Sequence, residues 1–296
     1  MTQIRLIATD MDGTLLGGEP DRIPPENARA LREAADAGIA LALVTGRMPD
    51  DAGFFALDAG LPMHVLGLNG CTTQHEPLGW IMRNRFMDRQ AARKARDVME
   101  AHGLPFALFS MHELALSEPP VDARGALLSY GTFFHRQGGR TRFCADAQSI
   151  NRLMVRVSKF VVDGRANAEE LQALKRHLEA EAPEVEVTSS WSGFLEIMPR
   201  GVNKGGALAE LAGELGIPMA QVMALGDNDN DVPMLEIAGC AVAMGNATPA
   251  ARQAAHWVAP SHLENGLAAA VRALALEDLT CLRRLSRDGA GRNNNR

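Results

Sequence analysis

The sequence predicts an α/β fold, a parallel sheet wrapped by helices and broken by a self-contained insertion. Three observations carry that reading: short apolar runs that stop abruptly in polar loops, helical patterns with proline at the entrance and glycine at the exit, and a loss of this alternation between residues 84 and 190 before it resumes.

Residues 3–9 (QIRLIAT) form an apolar run ending in Asp10-Met11-Asp12-Gly13, the pattern of a buried parallel strand that feeds a loop. Pro24 and Pro25 open a helical pattern that runs through Ala37, and Gly38 closes it. A second buried strand is expected over IALALV at 39–44, stopped by Thr45-Gly46-Arg47. A helix from Pro49 to Leu57 and a strand at His64–Leu68 extend the rhythm, which implies parallel pairing. The middle is less regular: a polar helix (Asp88–His102), short strand-like pieces, a helix (Asn167–Glu181) and a strand in VEVTS. The rhythm is expected to resume at LEIMP (195–199). A helix Lys204–Leu215, the strand QVMALG, a helix Val232–Ala238, the strand CAVAM and a helix Asn265–Leu276 then follow. Residues 1–83 and 190–280 are thus expected to form one discontinuous domain, 84–189 the insertion, and the polar end 281–296 a flexible tail.

The 296 residues leave room for two domains, and 46% hydrophobic with 22% charged residues is an ordinary globular balance. A net charge of −6 supplies no field for nucleic acid as the main partner. The four cysteines are scattered with no C-x-x-C pair, which argues against a zinc cluster or a disulfide framework and fits reduced thiols. The N-terminal residues lack a signal-peptide pattern, and the uncharged apolar stretches, Gly38–Val44 among them, are far too short to span a bilayer. A cytoplasmic protein with neither nucleic acid nor membrane as partner is expected, with homo-oligomerisation left open.

In open α/β sheets ligands bind beyond the carboxyl ends of the strands, and four such ends here are polar. Asp10-x-Asp12-Gly13-Thr14 sets two carboxylates at one strand end. One can serve as nucleophile and metal ligand while the other moves protons, although a solvated turn uses the same residues. Thr45-Gly46-Arg47 offers a hydroxyl and N–H groups to a phosphate oxygen, or simply caps a helix. Lys204 in GVNKGGAL opens a helix, where the positive helix end disfavours it; an anion facing it would resolve the conflict, a surface lysine being the alternative. In Gly226-Asp227-Asn228-Asp229-Asn230-Asp231 the acids repel unless a cation or hydrogen bonds offset them. An EF-hand calcium loop fails on spacing, because Val232 and Ala238 stand where glycine and glutamate belong. A magnesium site assembled across two strands from Asp10 and Asp227 fits better.

The ordered set LIATDMDGTLL, LVTGR, GVNKGGAL and GDNDNDVPML resembles the haloacid dehalogenase superfamily, and more narrowly its Cof-type sugar-phosphate phosphatases. Asn69-Gly70, KFVVDG at 159–164, AMGNA at 243–247 and ENG at 264–266 are similar to further segments of that group. The resemblance implies a Rossmann-like core with an inserted α/β cap. It implies Asp10 as the nucleophile forming an aspartyl-phosphate, and Asp12 as general acid/base with its backbone carbonyl on Mg2+. Thr45, Gly46 and Lys204 would hold the phosphoryl group with help from Asn230; Asp227 would be the metal carboxylate, supported by Asp231. Arg47, Asn69, Gly70 and Trp191 are candidate substrate contacts, hinge packing being the competing role for Trp191. The expected function is Mg-dependent hydrolysis of a small phosphorylated metabolite. A phosphomutase, a D-x-D glycosyltransferase and a catalytically silent binding protein are the competing readings.

Overall fold

The apolar runs pair as their composition demands. The computed structural model describes residues 3–18, 22–111, 113–117, 142–144, 147–188, 193–283 and 285–286. The chain opens with β1 (Leu6–Thr9), β2 (Ala40–Val44), β3 (Met63–Gly67), β4 (Thr72–Gln74) and β5 (Ile81–Asn84). Next come β6 (Phe106–Ser110), β7 (Glu113–Leu116), β8 (Arg142–Cys144), β9 (Lys159–Asp163), β10 (Val185–Thr188) and β11 (Phe194–Pro199). The last three are β12 (Val222–Gly226), β13 (Cys240–Ala243) and β14 (Trp257–Val258).

One sheet has the order β14-β13-β12-β1-β2-β3-β4-β5, parallel from β14 to β3 and antiparallel at the β4–β5 edge. Its parallel strands are mostly apolar because helices cover both faces, whereas the antiparallel edge strands β4 and β5 carry polar residues. Ile7, Leu41, Leu43, Met223 and Leu225 cluster with Ala30 and Leu31 of the helix Pro25–Asp36 and with Leu267 of Gly266–Ala270. Leu6, Ala8, Ala42, Val44 and Ala224 cluster with Leu208 of the helix Lys204–Glu214 and Met234 of Val232–Ile237. The alternation of neighbours along β1 between these two clusters is the period of two that a strand dictates.

The second sheet, β10-β11-β9-β6-β7-β8, is antiparallel except at β7–β8. The helices Arg89–His102 and Ala168–Glu181 bury one face, placing Ala95, Leu174 and Leu178 with Phe106, Phe160 and Ile197. The other face carries Phe109, Val161 and Phe194 onto Met48, Leu68 and Cys71, which lie just beyond β2 and β3. No helix among the described residues is long and apolar enough to cross a membrane.

Two expectations are corrected. LEIMP does not resume the first sheet; it lies in β11, hydrogen-bonded between β10 and β9, and the chain returns to the first layer only with the helix at Lys204. A short apolar run reads the same as a parallel strand or as an interior antiparallel one, so pattern alone could not separate them. Nor is the tail free from residue 281: Ser286 and Val258 exchange two backbone hydrogen bonds of 2.9 Å each, while residues 287–296 lie outside the described set.

The helix Lys204–Glu214 is seated tightly at its start, where a Cβ on Gly205 would lie 2.3 Å from the Pro233 carbonyl oxygen; around Gly213, near its end, there is open space. Gly205→Ala should therefore cost about 1–3 kcal/mol from overpacking. Gly213→Ala should gain about 0.5–1 kcal/mol from helix propensity, both read as shifts in the urea midpoint.

Candidate active site

Strand register gathers the polar ends. Thr9 lies opposite both Leu43 and Leu225, so Asp10, Thr45 and Asp227 leave neighbouring strands on the same edge of the sheet. After Asp10 the chain turns through Gly13 at φ +78°, and a Cβ there would stand 2.3 Å from Asp227 Oδ2. Only glycine allows that approach, which brings Thr14 Oγ1 to 2.8 Å from Asp227 Oδ1 as a donor. Asn246 Nδ2 donates to the Gly13 carbonyl at 2.9 Å and to Asp227 Oδ2 at 3.2 Å, tying the two loops together from a third.

The loop after β12 is closed by Asp231. Its Oδ2 accepts the backbone N–H groups of Asp227 at 2.8 Å and Asn228 at 3.0 Å, and its Oδ1 accepts from Lys204 Nζ at 2.5 Å. Lys204 also donates to Asp10 Oδ1 at 2.6 Å, and its side chain is only 1% exposed. The lysine at the helix start is therefore neutralised by two carboxylates rather than displayed on the surface.

Asp10, Asp227 and Asp231 each present a carboxylate oxygen within 4.8 Å of the others. Burial, reinforced by Asp231, holds the Asp10 carboxyl well above the usual carboxylate range in spite of Lys204. Burial and then Asp231 push Asp227 up to about 7 against the hydrogen bond from Thr14. Burial on its own would lower the Lys204 ammonium, but Asp10 and Asp231 outweigh it and hold it above its ordinary value. The cluster thus carries more negative charge than its one lysine offsets, and its donors are all oxygen. Such a set fits a hard divalent cation.

Arg47 grips Asp12 through two parallel bonds, Nε to Oδ2 at 2.8 Å and Nη2 to Oδ1 at 2.6 Å, and reaches Asp51 Oδ2 at 3.2 Å. The Asp12 side chain is 32% exposed against 8% for Asp10, so the two acids of one turn occupy different environments. The Thr45 hydroxyl accepts from the Arg47 N–H at 3.1 Å. Asn230 donates to Asn69 Oδ1 at 3.1 Å.

Asn69 and Gly70, expected at the substrate, are turned inward. Asn69 is 1% exposed, its Nδ2 donating to Glu196 and its Oδ1 accepting from Asn230. Gly70, at φ +97°, has no room for a Cβ against the Asn203 carbonyl, 2.7 Å away. Both hold loops together. Arg47, a further expected substrate contact, is engaged with carboxylates, and Trp191 lies outside the described residues. Sequence reading assigned no role to Thr14, Asn246, Asp51, Lys159 or Glu196. Glu196 did carry a signal, a lone acid inside an apolar strand, since buried charges require partners.

The chain matches the family model described as haloacid dehalogenase-like hydrolase over residues 7–271. It is 28% identical to a 5-amino-6-(5-phospho-D-ribitylamino)uracil phosphatase of Bacillus subtilis, covering 91% of this chain and 95% of that one. It is 29% identical to an HMP-PP phosphatase of Yersinia pseudotuberculosis, with 84% and 86% covered. The solved structure of a haloacid dehalogenase-like hydrolase from B. subtilis superposes with a TM-score of 0.79 at 26% identity, over 92% of this chain and 100% of the other. With the family model matched over most of its length and these proteins similar across nearly the whole chain, the chain belongs to the haloacid dehalogenase-like hydrolase family and is a phosphatase of the Cof type.

Proposed function

We propose that the protein hydrolyses a small phosphate monoester by way of an aspartyl-phosphate on Asp10. The observation that carries this reading is the buried Lys204 ammonium bonded to Asp10 and Asp231, with Asp227 beside them at the strand ends. The phosphatase names of the similar proteins from B. subtilis and Y. pseudotuberculosis support a small phosphorylated metabolite as the substrate class.

Asp10 attacks phosphorus in line with the ester oxygen. A bond forms from the carboxylate to phosphorus as the ester P–O bond breaks, and Asp12 gives its proton to the leaving oxygen. Water then attacks the acyl phosphate while Asp12 takes the proton, releasing inorganic phosphate and restoring Asp10. Lys204, Thr45, Gly46 and Asn230 hold the phosphoryl oxygens, and Arg47 orients the Asp12 carboxylate. Magnesium held by Asp10, Asp227 and the Asp12 carbonyl, with Asp231 behind them, would supply positive charge to the transferring group. Proton transfer contributes about 10²–10⁴ to such a rate, so positioning and charge neutralisation must supply most of an acceleration that can reach ~10²¹.

Asp10→Asn should lose at least about 10⁴-fold of phosphate release from p-nitrophenyl phosphate while keeping its circular dichroism. A folded Asp10→Asn protein with full turnover would end the proposal. Asp12→Asn should leave a phosphoenzyme that persists, seen as an added phosphate by mass spectrometry of the quenched reaction; complete absence of that adduct at single turnover counts against the two-step route. EDTA should abolish activity. Magnesium added to the EDTA-treated protein should raise Tm by several degrees, as binding at about 100 Kd adds about 2.7 kcal/mol, and Asp227→Asn should remove that rise.

A further inference from the structure

We propose that Lys159 and Glu196, both carried by the second sheet, are positioning residues that set the phosphate-holding loops of the first. Lys159 opens β9 and Glu196 sits inside β11; they are 1% and 2% exposed. Lys159 Nζ donates to Glu196 Oε1 at 2.7 Å and to the Gly46 carbonyl at 2.7 Å, with the Phe109 ring centroid 5.0 Å away. Glu196 Oε2 accepts from Asn69 Nδ2 at 2.5 Å, and Asn69 Oδ1 accepts from Asn230 Nδ2 at 3.1 Å. The backbone N–H of Asn69 donates to the Thr45 carbonyl at 2.9 Å. One connected polar chain therefore runs from the second sheet into three of the loops around the site: Thr45–Arg47, Asn69–Gly70 and Asp229–Asp231.

Stability does not account for this pair. A buried ion pair often does no better than apolar residues of the same volume. What it supplies is direction. An ionised carboxylate is acceptor-only on both oxygens, so Glu196 forces the Asn69 NH2 group toward itself and the Asn69 oxygen toward Asn230. That fixes which end of Asn230 remains turned to the site. The ammonium on the Gly46 carbonyl likewise fixes the peptide plane between Gly46 and Arg47, whose N–H is bonded to the Thr45 hydroxyl. A neutral, apolar replacement preserves packing and loses each of these orientations.

The test is the double variant Lys159→Met/Glu196→Leu, which removes both charges together and keeps the volume. It should unfold in urea near the wild-type midpoint, yet show kcat/KM on p-nitrophenyl phosphate lower by about 10²-fold, the scale of an ångström misplacement. Inhibition by inorganic phosphate should weaken by about tenfold, the scale of one neutral hydrogen bond. The magnesium-induced rise in Tm should stay, because Asp10, Asp227 and Asp231 are untouched. If the double variant does not fold, Glu196→Gln, which opposes an NH2 to that of Asn69, should show the same two losses. A folded variant with wild-type kcat/KM and wild-type phosphate inhibition overturns the positioning role and leaves the phosphatase reading intact. Because this role builds on phosphoryl transfer at Asp10, a wild-type protein that releases no phosphate removes both.

Discussion

The ammonium of Lys204 between Asp10 and Asp231 is the contact on which the site depends. Taking ions out of water costs several kcal/mol each, a cost that their mutual attraction recovers only with close geometry and further hydrogen bonds. Here the geometry is close, at 2.6 and 2.5 Å, and Asp231 gains two backbone donors as well. Yet the cluster remains short of positive charge, which is why burial and Asp231 hold Asp10 and Asp227 above the ordinary carboxylate range. A core built for stability alone would not keep such a deficit. Functional sites commonly trade folding stability for poised chemistry, and this cluster has that character.

The sheet makes the cluster affordable in chain terms. Thr14 and Asp227 are 213 positions apart, but a parallel sheet delivers the ends of its strands to one edge, and Lys204 joins them on the helix that follows β11 of the second sheet. Each loop then needs only a short excursion to meet the others. Gly13 shows how near they come: a Cβ there would strike Asp227, so the backbone of one loop occupies space that a side chain normally takes, and within the second loop Gly226 is pressed in the same way against Asp231.

Much of this was legible in the sequence. The strand ends at Asp10, Thr45 and Gly226 are marked by a change from apolar to polar residues that periodicity locates within a residue or two. The helix boundary at Pro25 follows from proline entry, and the helix expected from Lys204 does begin there, capped in the structure by Asn203, whose side chain accepts the Gly206 N–H. The losses have one cause. A motif gives the order of residues along the chain, whereas the direction of a side chain depends on partners far away in it. Asn69 turns inward because Glu196, 127 positions later, accepts its amide; Arg47 turns to Asp12, 35 positions before it. Likewise β11 pairs with β9 and β10, which no local pattern distinguishes from a strand of the first sheet.

The second sheet is consequently more than a cover. One of its faces is filled by its own helices, so that layer is complete without the first sheet. The other face meets Met48, Leu68 and Cys71, residues adjoining the loops that carry Thr45 and Asn69. Apolar contact of this kind fixes distance but tolerates sliding, because dispersion is not directional. Hydrogen bonds from Lys159 and Glu196 through that apolar layer tolerate little, since they weaken steeply as their angles depart from linear. A layer that only screened the site from water would need the apolar contact and nothing else. The polar chain through it makes the arrangement of the phosphate-side loops depend on where the second sheet sits.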